Sequence, residues 1–172
     1  MTLQVASDGY LLDAGEGEAL WFADSLLTYK ATGDQTAGGL AMAEVTAPKG
    51  AGSPSHRHHH EDEAWYVLDG ELCFWLGDDQ LTGSSGAFVL GPRGIEHRFE
   101  VTSSEARFLL LLTPAGFEDF TRTCGTPATT LTTPPPNLPR QDAQVLAAAA
   151  RTHGLDIRDS AQSTTSKRDE SS

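Results

Sequence analysis

The sequence is short of basic residues, of cysteine and of long apolar runs, and each shortage excludes something. Twelve Lys and Arg stand against twenty-four Asp and Glu, for a formal net charge of −12. Phosphate backbones and anionic membrane surfaces are repelled by such a chain, so nucleic acid is not an expected partner. Only two cysteines occur in 172 residues. Cys73 and Cys124 have neither paired metal-ligand spacing nor the density of a disulfide scaffold, and Cys73, inside LCFWL, reads as a buried free thiol. No window approaches the roughly 18 apolar residues of a membrane span, and MTLQVASDGYLLD has no basic segment leading into an apolar one. The expectation is a cytoplasmic protein with no membrane partner. The length suits one domain with some extra chain at its ends.

What is present is a series of short apolar segments broken by glycine, proline and acidic turns. Residues 19–23, 26–31, 40–47, 63–69, 71–77, 86–91, 97–101 and 106–113 have strand length and carry aromatic or β-branched residues. Eight such strands without an internal repeat predict one all-β sandwich or barrel. Asp69-Gly70 reads as a hairpin turn, and Pro92 with Gly94 as a tight corner before His97. GFEDFTRTCG, residues 116–125, reads as a short helix with Phe117 and Phe120 three apart and Gly125 as its stop. Residues 126–140 hold five of the nine prolines and read as an extended linker. Residues 142–154 predict a helix capped by Asp142, within a C-terminal segment 141–157 that packs on the barrel. The polar residues 158–172 read as a disordered tail. The barrel, with its N-terminal strands, is thus expected in residues 1–125.

Four of the six histidines fall in HRHHHEDE, residues 56–63. On a strand, residues two apart share a face, so His56 and His58 can converge on one ion. His58 with His60 is a second pairing, but it leaves Glu63 only three residues on and the flanking glycines out of register. Imidazoles suit the later divalent transition metals, and a carboxylate adds charge. Glu63 and the remote His97 would complete the set if the sheet folds over. Three His and one Glu leave one or two positions open on a five- or six-coordinate ion, as catalysis requires. His59, His60, Glu61 and Asp62 then read as exposed loop.

Two spacings carry a family resemblance. The first runs from Gly50 over five residues to His56, one to His58, four to Glu63 and six to Gly70. The second runs from Gly86 over five residues to Pro92, one to Gly94 and two to His97. They resemble the paired motifs of the cupin superfamily, with Val101 where that family usually has Asn. More narrowly, residues 53–78, 88–99 and 111–128 resemble small single-domain bacterial cupins grouped with quercetin 2,3-dioxygenase. The resemblance implies a jelly-roll or conical β-barrel with short C-terminal helices, and one divalent transition metal (Ni, Fe, Co, Mn, Cu or Zn) on His56, His58, Glu63 and His97.

It further implies a small-molecule substrate and a dioxygenase acting on an aromatic or enolisable compound, with O2 as co-substrate and Glu63 as general base. The same ligands would serve a cyclase, isomerase, lyase or decarboxylase, and the fold also serves non-enzymatic small-molecule binding. By strand alternation Trp65 and Val67 share the face of Glu63, and Phe99 that of His97, which makes them candidate pocket-lining residues. A homodimer that hides a barrel edge is expected.

Overall fold

In the computed structural model, residues 4–6 and 9–158 are described. The tail from 159 onward lies outside them. A seven-stranded sheet and a five-stranded sheet, both antiparallel throughout, enclose the core, with a separate two-stranded ribbon of β1 (Gln4–Ala6) and β2 (Gly9–Leu11). The larger sheet comprises β3 (Glu18–Phe22), β4 (Ser25–Ala31), β5 (Ala41–Pro48), β7 (Asp62–Asp69), β10 (Phe88–Gly91), β12 (Glu105–Thr113) and the two-residue β13 (Thr126–Pro127). Its order is β10-β7-β12-β5-β4-β3-β13. The smaller sheet contains β6 (His56–His58), β8 (Glu71–Leu76), β9 (Asp79–Ser84), β11 (His97–Val101) and β14 (Leu155–Ile157), in the order β14-β6-β11-β8-β9. This is an all-β jelly-roll.

The burial pattern follows from the two-residue period of a strand. In β5, Ala41, Ala43, Val45 and Ala47 are buried while the residues between them are half-exposed. β12 contributes Ala106, Phe108, Leu110 and Leu112 to the same core, and Trp65, Val67, Leu72, Phe74 and Val101 fill the space between the sheets. At about 25 cal/mol per Å², full burial of each large apolar side chain contributes roughly 1.5–3 kcal/mol.

Asp69-Gly70 is not a hairpin. β7 pairs with β10 and β12, whereas β8 pairs with β9 and β11, so the dipeptide carries the chain from one sheet to the other. Glycine is still required there. Gly70 has φ +82°, and a Cβ would lie 2.4 Å from the carbonyl oxygen of Glu105. The Pro92 corner does form: Gly94 has φ +79°, and the Ile95 amide donates to the Pro92 carbonyl at 3.2 Å.

Among the described residues three short helices complete the fold: α1 (Gly33–Thr36), α2 (Phe117–Cys124) and α3 (Ala143–Thr152). Phe117 and Phe120 anchor α2 by edge-on contacts with Phe22 of β3. Glu118 ties it to α1 by accepting from the amides of Gly33 (2.6 Å) and Gly116 (2.8 Å). α3 is capped as its sequence predicts, the Asp142 carboxylate accepting from Gln144 N at 2.8 Å. The prolyl stretch before it lies along the barrel, where the Thr132 carbonyl accepts from Trp21 Nε1 at 2.8 Å. The C-terminal segment also contains β14, a strand where the sequence pattern shows only the end of a helix. It pairs with β6, opposing Leu155 to His58 and Ile157 to His56.

Candidate metal centre

The smaller sheet builds most of the site. His56 and His58 lie at the ends of β6 and point to one side, and β11 sets His97 directly opposite His56. Glu63 comes from β7 in the other sheet, so the cluster bridges the two layers. All four residues are buried, His56 being the most exposed at 6%.

Around Glu63 Oε2 stand Nε2 of His97 at 2.8 Å, of His58 at 3.1 Å and of His56 at 3.3 Å. One donor atom from each of the four lies within 4.8 Å of every other. Donors bound to one ion at about 2.1 Å sit ~3.0 Å apart at right angles and ~3.4 Å apart in a tetrahedron, so these separations match a shared ion.

The far side of each ring decides where its lone pair points. His56 Nδ1–H donates to the Pro54 carbonyl at 2.9 Å, and His97 Nδ1–H to the Ile95 carbonyl at 2.8 Å. His58 Nδ1–H faces Glu61 Oε2 at 3.2 Å. With the Nδ1 protons committed, the three Nε2 atoms converge on one carboxylate oxygen, those of His56 and His97 within hydrogen-bonding reach of it, an arrangement satisfied by a metal ion or by protons on the rings. His58 Nε2 differs: close as it is to Glu63, the contact lacks hydrogen-bond geometry, and the atom is buried without a partner. These residues fit a divalent transition ion.

The electrostatics agree. Burial disfavours a charged His58, yet the carboxylates of Glu61 and Glu63 on either side of its ring overcome this and raise its pKa to about 9. Burial likewise favours a neutral Glu63, but the surrounding imidazoles hold it ionised, well below the usual carboxylate range. The pocket therefore attracts positive charge.

Trp65 and Val67 are fully buried on the same side of β7 as Glu63. The Trp65 ring lies 5.6 Å from His97, and its Nε1 has no partner. Phe99 is half-buried, 6.3 Å from Trp65 and 5.4 Å from Phe108. Val101, which stands where the resembled motif usually has Asn, is core, and its backbone is locally bonded: its amide donates to Ala51 and its carbonyl accepts from Gly50, both at 2.9 Å. His59 and His60 are exposed. Glu61 is not. It is 4% exposed and faces His58, and Asp62 is half-buried at the start of β7 and paired with Arg93, so for both residues the reading as exposed loop is corrected. An open groove of about 750 Å³ lies elsewhere, between the prolyl stretch and the barrel around Trp21, Pro48 and Leu146, and includes none of the four cluster residues.

Two sheets closed over a buried His3Glu set that could hold a metal ion define the class of β-barrel. The cupin-domain model matches residues 43–113, which together with the fold supports membership of the cupin superfamily. It is 30% identical over 118 residues to quercetin 2,3-dioxygenase of Bacillus subtilis, a match covering 69% of this chain and 35% of that protein. The chain thus spans about a third of that relative's length. It is also 28% identical over 60 residues to an uncharacterized Streptomyces coelicolor protein, covering 35% of this chain and 57% of that one. Among solved structures it resembles a predicted oxalate decarboxylase of Thermotoga maritima, with TM-score 0.57 and 18% identity over 60% of this chain and 98% of that one. It also resembles the cupin domain of Schizosaccharomyces pombe Cnp3, with TM-score 0.52 and 16% identity over 67% and 80%. At these identities the structural likenesses establish the fold.

Proposed function

We propose that the protein is a metal-dependent dioxygenase acting on an aromatic or enolisable small molecule of flavonol or polyketide type. The observation that carries the metal is the convergence of three Nε2 atoms, their Nδ1 sides already committed, on one carboxylate oxygen. The choice of dioxygenase is supported by the similarity to quercetin 2,3-dioxygenase. A bound divalent ion would supply Lewis acidity toward a substrate oxygen and bring the substrate together with O2. The contacts of Glu63 to the imidazoles all use Oε2, which leaves Oε1 to accept the hydroxyl proton of an enolisable substrate. Trp65, Val67 and Phe99 would present the apolar wall. Because the ligands are at most 6% exposed, substrate entry requires side chains to move. Phe117, whose ring lies 5.5 Å from that of His58, belongs to that cover.

Metal analysis of the purified protein, combined with an oxygen electrode and a panel of flavonols and polyketide-like phenols, tests this reading. O2 uptake tied to one substrate class, lost in His56→Ala and His97→Ala, is expected. Turnover at an unchanged rate under strict anaerobiosis would instead identify a cyclase, isomerase, lyase or decarboxylase using the same ion. Saturable binding without product would identify a non-enzymatic binder.

We further propose a homodimer in a cytoplasmic setting. Tyr66, Phe88 and Leu90 are exposed on the outer side of the larger sheet, Phe88 by 62%, with the half-buried Leu109 opposite Tyr66. β10 is the terminal strand there and carries neither charge nor proline, the usual guards of a free edge. On a chain of net charge −12 this apolar patch, bordered by the Arg107–Glu44 pair, offers a second copy little repulsion. The two buried, unpaired cysteines suit a reducing compartment.

A further inference from the structure

The three imidazoles are not supported alike. Those of His56 and His97 rest on backbone carbonyls two residues earlier, whereas that of His58 rests on a full carboxylate, Glu61 Oε2. Several features hold this carboxylate in place. It is buried, and a Cβ on Gly116 would stand 3.0 Å from its Oε1. Gly116, at φ 152°, is the N-cap of α2, so the carboxylate lies at the end of that helix where aligned peptide dipoles favour negative charge. On one side the His59 amide donates to the Gly154 carbonyl at 2.9 Å. On the other, Asp62 accepts from the backbone and guanidinium of Arg93 at 2.8–3.1 Å. The chain is thereby pinned on both sides of Glu61.

We propose that Glu61 is the positioning residue for His58: a buried carboxylate that fixes the ring with Nε2 toward the centre and makes this imidazole the strongest donor of the three. The proposal rests on the reading of His56, His58, Glu63 and His97 as metal ligands. Loss of such a partner typically weakens metal binding about 10- to 100-fold.

Co2+ is the probe, since its visible absorption reports the ligand field. Affinity is measured by competition with a chelator in the wild type, Glu61→Gln and Glu61→Leu. Glutamine keeps the shape and offers a carbonyl like those behind the other two rings, so an approximately 10-fold weaker affinity with shifted bands is expected. Leucine, which leaves the Nδ1–H without an acceptor, should approach 100-fold. Should leucine at this buried position prevent folding, the glutamine variant still decides the matter. If the variants bind Co2+ with wild-type affinity and an unshifted spectrum, Glu61 merely supports α2 and the proposal is overturned. A wild type that takes up no Co2+, Ni2+ or Zn2+ overturns the metal reading itself, an outcome distinct from the first.

Discussion

Replacing Glu63 by glutamine should have opposite consequences with and without metal. Glu63 is 2% exposed and ionised, and its charge is balanced from within the cluster by a protonated His58, whose pKa is raised to about 9. Removing one member of a buried ion pair usually costs ~3–5 kcal/mol, because the other charge is left uncompensated. Here His58 can release its proton, and the glutamine amide can donate to the Nε2 lone pairs that now surround Oε2. Stripped of metal, Glu63→Gln should therefore lie within about 1 kcal/mol of the stripped wild type. With metal at 100 times its Kd, the wild type gains about 2.7 kcal/mol. For a chain of this size that raises Tm by roughly 5–10 °C. The variant, lacking the only anionic ligand, should show little shift at the same concentration. The assay is thermal unfolding of chelator-treated protein titrated with Ni2+, Co2+ and Zn2+. The shift should shrink between pH 7.5 and 5.5, because the ion must displace protons from the imidazoles. An equal metal-induced shift in Glu63→Gln would refute Glu63 as a ligand. A loss of ~3–5 kcal/mol without metal would show instead that the carboxylate serves the fold as an ion-pair partner.

Three other perturbations probe the frame around the site. Tyr29 is 2% exposed, bonded to Thr121 Oγ1 at 2.7 Å, and burial raises its phenol above the ordinary value. Tyr29→Phe should cost about 1 kcal/mol at pH 7. Above pH 10 the unfolded phenol ionises while the folded one does not, so the wild type alone loses about 1.4 kcal/mol per further pH unit, and the gap should close near pH 11. A gap in urea-unfolding free energy that stays constant from pH 7 to 11 would contradict the assigned burial effect. Leu155→Ala, at a 1% exposed position of β14, should cost ~2–5 kcal/mol and also weaken metal retention, because β6 loses its neighbour; unchanged retention would separate β14 from the site. Phe88→Asp should convert a dimer to a monomer in light scattering with little change in metal content, and a monomeric wild type would remove the basis for that interface.

The parts of the molecule that were legible in the sequence are those set by local periodicity. Alternation located the eight principal strands to within a residue or two, and Asp142 and Gly125 bounded the helices because capping and termination act over a few residues. The four cluster residues were legible for another reason: two widely separated spacings coincide, and only closure of the sheets makes both useful at once. Among the elements not read from the sequence, β9 and β14 lack such signals. DQLTGS, which forms β9, has an exposed polar face and little apolar content, and β14 is only three residues long. Both are strands because a neighbour offers them backbone partners, a tertiary cause that no local propensity carries.

Asp69-Gly70 and Glu61 show how a correct local chemistry can be assigned to the wrong structure. Gly70 does adopt the positive φ that a hairpin would demand, but so does any chain turning sharply between layers, and what decides is the pairing on either side. In HRHHHEDEAW, Glu61 carries the same charge as the half-buried Asp62 beside it, so composition cannot single it out. It is withdrawn from water because β14 closes one side of the segment, the Asp62–Arg93 pair turns the next residue outward, and α2 begins where the carboxylate comes to rest. Each of these contacts joins residues far apart in the chain. They convert a residue indistinguishable from a solubilising acid into the carboxylate that stands behind the His58 ring of the candidate centre. The strength of the centre should accordingly depend on the C-terminal segment as well as on the strands that carry its donors.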